Sequence, residues 1–162
     1  MGSGYRMNFG KTKGAITLNS LKLDSVIVFQ QVSEADKEIK TIAKKSPIRI
    51  PQSATYKKQE KIGYQQIKYK FINGNYEYEI RWHTQTPNAP KGTGSTYQVT
   101  RTKKGFGYGK EASIKRIEHL IKHPNGNKKW VSTDKYQEAI RNKKIGKATK
   151  KEMEMIKYGH IK

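Results

Sequence analysis

Two short runs, Gln66-Ile-Lys-Tyr-Lys-Phe71 and Tyr76-Glu-Tyr-Glu-Ile-Arg-Trp82, alternate polar and apolar residues on either side of Asn73-Gly-Asn75. Strand side chains point alternately to opposite faces, and an Asn/Gly turn reverses the chain tightly, so the pattern predicts a β-hairpin with one buried face. Arg81 and His83 then fall at the end of the second strand, on a shared face. Ile48-Arg-Ile50 and Tyr97-Gln-Val-Thr100 are further β-type stretches. Residues 84 to 96 read as a loop, because Pro87, Pro90, Gly92 and Gly94 all oppose regular structure.

Helical signals flank this β region. Ser33-Glu-Ala-Asp36 opens a helix carrying Ile39, Ile42 and Ala43, ended by Lys44, Lys45 and Pro47. Around the segment from Arg116 to Ser132 the apolar spacing of Ile114, Ile117, Leu120 and Ile121 fits a helix, but Pro124-Asn-Gly-Asn127 before Trp130-Val131 favours a hairpin. Ser132 or Thr133 caps a helix with Tyr136, Ala139 and Ile140, stopped before Gly146. Thr149-Lys-Lys-Glu152 is a capping box opening a last helix with Met153 and Ile156, closed at Gly159. Gly105, Gly107 and Gly109, interleaved with Phe106 and Tyr108, form a second flexible stretch. The expected fold is α+β: a twisted antiparallel sheet with flanking helices. Residues 1–47 form a helical and extended prelude and residues 48–162 the main domain, packed as one compact unit.

The 162 residues suit a single domain with a real core. Lys and Arg number 34 against 13 acids, a formal charge of +21, so a polyanion or an acidic protein is the expected partner. More than half of that excess lies beyond residue 100. The absence of cysteine excludes disulfides, thiolate nucleophiles and Cys-bearing zinc sites. The longest apolar run, Val26-Ile-Val-Phe29, is too short to span a bilayer. Met1-Gly-Ser-Gly4 reads as a linker or a cut end, as in the last domain of a larger secreted protein.

From Arg81 to Lys110 there is no Asp or Glu, while Arg81, His83, Lys91, Tyr97, Arg101, Lys103, Lys104 and Lys110 crowd the same window. Cleaving RNA by internal transfer needs a base for the ribose 2′-hydroxyl, an acid for the leaving 5′-oxygen and cations for the phosphorane. Histidine suits both proton transfers. Guanidinium suits the third, because its fork matches phosphate oxygens. His83 is thus the proton-transfer candidate, with Arg81 and Arg101 as clamps and Tyr97 and Thr100 as hydroxyl donors. His160 is either a frayed residue or a second proton-transfer group. Lys91, Lys103, Lys104 and Lys110 are candidate backbone contacts, and Trp130 and Tyr136 either stack on bases or fill the core. The runs Arg141–Lys144 and Lys147–Lys151 read as solvated helix faces. A metal site would draw on Glu77, Glu79, or the His119 and His123 pair; none of these has a ligating pattern, so no metal or cofactor is expected.

The segment Arg81-Trp-His-Thr-Gln-Thr-Pro-Asn-Ala-Pro90, continued by Gly92, Tyr97-Gln-Val99 and Arg101, resembles the nuclease toxin domains at the C-terminal tips of bacterial polymorphic toxins of the Rhs, wall-associated and LXG-type contact-dependent systems. A second block, Asn125-Gly126, Trp130-Val131, Tyr136, Ala139, Gly146-Lys-Ala-Thr149 and Gly159-His160, is similar too. The resemblance implies a fold of the barnase, EndoU, colicin and RelE assemblage. It also implies a metal-independent endoribonuclease, often tRNA-directed, using Arg81, His83 and Arg101 with His160 as an addition. Such domains are exported as part of a larger toxin, act in the cytoplasm of a target cell and are neutralised by a cognate immunity protein, here an acidic one. The free domain is expected to be a monomer. The tandem histidines of the EndoU pattern are reduced here to one. Two other functions remain open: a metal-dependent DNase toxin and a non-catalytic basic module that binds nucleic acid.

Overall fold

The hairpin around Asn73-Gly-Asn75 lies at the centre of the antiparallel sheet, seven-stranded among the described residues. A computed structural model gives the structure of residues 30–104 and 115–162. The strands follow one another across the sheet in chain order: β1 (Gln30–Gln31), β2 (Thr55–Lys61), β3 (Tyr64–Asn73), β4 (Tyr76–His83), β5 (Thr96–Lys104), β6 (Lys115–Lys122) and β7 (Lys128–Ser132). Gly74 turns the central hairpin with φ of 63°, a left-handed conformation that suits glycine. The sheet is not closed into a barrel.

Helix α1 (Lys37–Lys44) covers one face. Asp36 caps it by accepting from the Ile39 N–H at 3.1 Å, and its apolar stripe buries Ile39 and Ala43. Two sheet tyrosines fasten its backbone: Tyr69 donates to the Ile39 carbonyl and Tyr97 to the Ile42 carbonyl, each at 2.7 Å. Val32, Ala35, Ile39, Ala43 and Ala54 share one core with Ile67, Tyr69, Ile80, Val99 and Leu120. Residue 47 is therefore no boundary of packing.

Helices α2 (Thr133–Lys144) and α3 (Lys150–Gly159) lie on the other face, against β5, β6 and β7. Ser132 caps α2, and Thr149 with Glu152 forms the expected capping box on α3. Past α3, Ile161 pairs with Tyr97 through two backbone hydrogen bonds of 2.6 and 2.9 Å, so the chain returns to the sheet. The fold is α+β, with helices on both faces of the sheet.

Two local expectations are corrected. Ile48-Arg-Ile50 is not a strand: it lies between Pro47 and Pro51, which cannot donate to a ladder, and its isoleucines pack against the core instead. Strand β2 was not expected, since Lys57-Lys-Gln-Glu-Lys61 offers no apolar alternation; its pairing with β3 along its whole length holds it. The ambiguous segment after Arg116 is the hairpin β6–β7. The stretch Gly105 to Gly109 and the candidate Lys110 lie outside the described residues.

Candidate active site

Alternation divides β4 cleanly. Tyr76, Tyr78, Ile80 and Trp82 face α1, whereas Glu77, Glu79, Arg81 and His83 face the side that carries α2 and α3. The register continues this across β5, where Thr96 lies opposite His83, Gln98 opposite Arg81 and Thr100 opposite Glu79. His119 of β6 then lies opposite Thr100. One face thus gathers Arg81, His83, Thr96, Gln98, Thr100 and His119, and His160 reaches it from the end of α3.

Hydrogen bonds fix the polarity of this cluster. The Nη1 of Arg81 donates to Gln98 Oε1 at 3.3 Å, which turns the Gln98 amide nitrogen toward His160 Nε2 at 2.9 Å. His160 Nδ1 lies 2.8 Å from the Ile156 carbonyl, an acceptor only, so the proton sits on Nδ1 and Nε2 presents its lone pair to Gln98. His83 is arranged in the same way: Nδ1 donates to the Thr84 carbonyl at 3.0 Å and Nε2 faces the Thr96 hydroxyl at 3.4 Å. The two partners differ in one respect. A hydroxyl can donate or accept, so Thr96 tolerates His83 in either protonation state. The Gln98 amide nitrogen only donates and therefore favours neutral His160.

Burial pushes the His160 imidazole below the ordinary histidine range, the charges of His83 and Lys143 act in the same direction, and the Ile156 carbonyl opposes them. His119 is pushed down to about 4, by burial first and then by Arg81 and His160. Its ring stacks on Tyr136 with centroids 4.2 Å apart, and its Nδ1 has no hydrogen-bond partner. Tyr136 in turn lies 3.5 Å from His160 Nδ1. Beside His83, the Tyr64 ring makes an edge contact with centroids 6.1 Å apart.

The structure brings Arg81, His83 and His160 together and leaves Arg101 apart. Arg101 lies opposite Tyr78 on the α1 face, with its guanidinium 4.2 Å from the Tyr76 ring centre, 4.1 Å from that of Trp130, and 2.7 Å from Glu118 Oε1. Trp130 is the other half of that packing, edge-on to Tyr78. Tyr97 is buried on the same side, and burial pushes its hydroxyl up to about 12. Lys103 approaches the Tyr76 ring there as well. Thr100 shares the face of Arg81, between Glu79 and His119 in register. Lys91 is exposed in the loop, and Lys104 closes β5 opposite Lys115.

The acid-free stretch of sequence is not acid-free in space. Glu79, two residues before Arg81 on the same strand face, lies 3.5 Å from Arg81 Nη2 and 3.8 Å from Lys70 Nζ. His119 lies within β6 and His123 just past its end, in extended chain rather than a helix, so the spacing of four does not place them on one helical face. Among the described residues no three His, Asp or Glu side chains are grouped to hold a metal ion. From sequence, His119 is offered only as half of a metal pair and Tyr136 only as a base-stacking or core residue, and Gln98 not at all; Gln98 carries no chemical signal of its own, and only its register opposite Arg81 reveals it.

Compared with known proteins, the chain matches no family model, no curated sequence and no solved structure.

Proposed function

We propose that this domain is a metal-independent endoribonuclease that cleaves by internal transfer, with Arg81, His83 and His160 as its reacting groups. The observation that carries the reading is the gathering of a guanidinium and two tautomerically fixed imidazoles on one sheet face, with Gln98 joining Arg81 to His160 and Thr96 facing His83. His160, held neutral, is the base: its Nε2 takes the proton of the ribose 2′-hydroxyl once substrate displaces the Gln98 amide. The 2′-oxygen attacks phosphorus while the bond to the 5′-oxygen breaks. His83, free to enter protonated beside the ambivalent Thr96, returns a proton to that oxygen. Arg81 stabilises the charge that builds on the phosphorane oxygens, releasing Glu79 as it does so. The products are a 2′,3′-cyclic phosphate and a 5′-hydroxyl.

The +21 charge supports a polyanionic substrate, and the resemblance of the Arg81 to Arg101 segment supports a toxin aimed at tRNA in a competing cell and restrained by an acidic immunity protein. Incubating the domain with total RNA and plasmid DNA, each with and without EDTA, tests the reading. RNA ends bearing cyclic phosphate, formed equally in chelator, are expected. His83→Ala should lower the rate about 100-fold to 10,000-fold with the circular dichroism unchanged. Full activity of His83→Ala, or activity that chelator abolishes and a divalent cation restores, overturns it.

A further inference from the structure

The face of Arg81 and His83 continues sideways into a row of cations that the proton-transfer chemistry leaves unused. Register sets Lys57 of β2 opposite Lys68 of β3, Lys68 opposite Arg81 of β4, and Arg81 opposite Gln98 of β5. Directly opposed residues share a face, so three cations stand in line at intervals of about 4.8 Å, a row about 10 Å long that ends at the Gln98–His160 pair. Lys57 is exposed and Lys68 half-buried. Among the described residues the ion pairs are Lys58–Glu38, Lys70–Glu79, Arg81–Glu79 and Arg101–Glu118, so neither Lys57 nor Lys68 has a carboxylate against it. Like charges directly opposed across two strands destabilise a sheet. A row that retains them is one that an outside polyanion completes.

The adjoining row differs in character. Gln59, Gln66, His83 and Thr96 lie opposite one another in turn, with Gln66 donating to Gln59 at 3.0 Å, and the half-buried Tyr64 ring borders His83. A row of fixed cations beside a row of amide, imidazole and hydroxyl groups with an aromatic ring is the layout of a backbone track beside a base platform.

We propose that this face holds one unpaired strand of RNA, its phosphates along Lys57, Lys68 and Arg81 and the base beside the scissile phosphate stacked on Tyr64. A duplex fits less well, because a paired base has both faces occupied by its neighbours and has none to give to Tyr64. The placement of scission at Arg81 rests on the proposed function; the track itself is a binding property and can be measured without cleavage.

The test uses a fluorescein-labelled, fully 2′-O-methylated oligoribonucleotide, which lacks the attacking hydroxyl, titrated over a range of salt. Lys57→Ala/Lys68→Ala should make the slope of log K against log salt shallower by about 1.4, from about 0.7 for each phosphate contact on a single strand. Lys57→Gln/Lys68→Gln reads the same slope if the alanine pair folds poorly. Tyr64→Ala should weaken the single strand about 5-fold to 100-fold at unchanged slope, and leave a duplex of the same sequence unaffected. An unchanged slope in the lysine variants, or an equal loss for single strand and duplex in Tyr64→Ala, overturns the track. If the wild-type protein leaves unmodified RNA intact while the lysine variants still change the slope, the track stands and the proton-transfer reading falls.

Discussion

Gln98 donates to His160 from the same amide whose oxygen accepts from Arg81, so the position of the guanidinium and the protonation of the imidazole are coupled through one side chain. Protonating His160 places two donors face to face, and relieving that by turning the amide breaks the bond to Arg81. Gln98→Glu inverts the preference: a carboxylate accepts from both neighbours and stabilises charged His160. The His160 pKa should rise by about 1 to 3 units, read by NMR titration of its ring protons. The rising limb of the pH–rate profile should move to higher pH with it.

Arg101 makes the opposite prediction from Arg81. Enclosed by Tyr76, Trp130 and Glu118 on the α1 face, it serves packing, so Arg101→Gln should preserve the cleavage rate per folded molecule. The lost contacts should cost about 2 kcal/mol in urea denaturation, and Glu118 is left without its partner. Arg81→Gln should reverse this pattern, with a large loss of rate and a small loss of stability.

His119 gives the fold its own sensitivity to acid. Its folded pKa, about 4, lies below the ordinary value of 6.5. The unfolded chain therefore binds the proton first, and the contribution present above pH 6.5 is lost as pH falls toward 4. The difference amounts to about 3 kcal/mol. His119→Phe keeps a ring against Tyr136 and removes the titration. Denaturation midpoints of this variant should fall less between pH 7 and pH 4 than those of the wild-type chain.

Gly159 ends α3, where the sequence also placed the end of the helix, but for another reason. Its backbone φ is not among the positive ones, and a Cβ at this position would lie 2.7 Å from both Cε2 and the hydroxyl oxygen of Tyr136. Gly159→Ala should therefore cost about 1 to 3 kcal/mol by displacing that ring. Because Tyr136 stacks on His119 and borders His160, cleavage should fall by more than the loss of folded protein explains. Rate per folded molecule, measured beside thermal unfolding, separates the two effects.

Much of this architecture can be read locally. Period-two alternation marks β3 and β4, and Ser132, Thr149 and Glu152 mark the helix starts, because caps and pleats are properties of a few neighbouring residues. β2 escapes such a reading: its lysines resemble any solvated run until β3 supplies the ladder. The site divides along the same line. Arg81 and His83 are two apart on one strand, so their shared face follows from the pleat alone. Arg101 has the same guanidinium and lies in the same stretch of sequence, yet the one-residue offset in register sends it through the sheet to Trp130. His160 joins because α3 folds back, a contact that no local pattern encodes.

Gln98 and His160 are 62 residues apart in sequence, and the return of Ile161 to Tyr97 fastens that closure. Bringing such distant segments together costs on the order of 4 kcal/mol in chain entropy, offset only once α3 has settled on the sheet. The imidazole pair is thus complete only when α3 is docked. A chain with its central hairpins formed but its final helix undocked holds Arg81 and His83 on the sheet without His160 beside them.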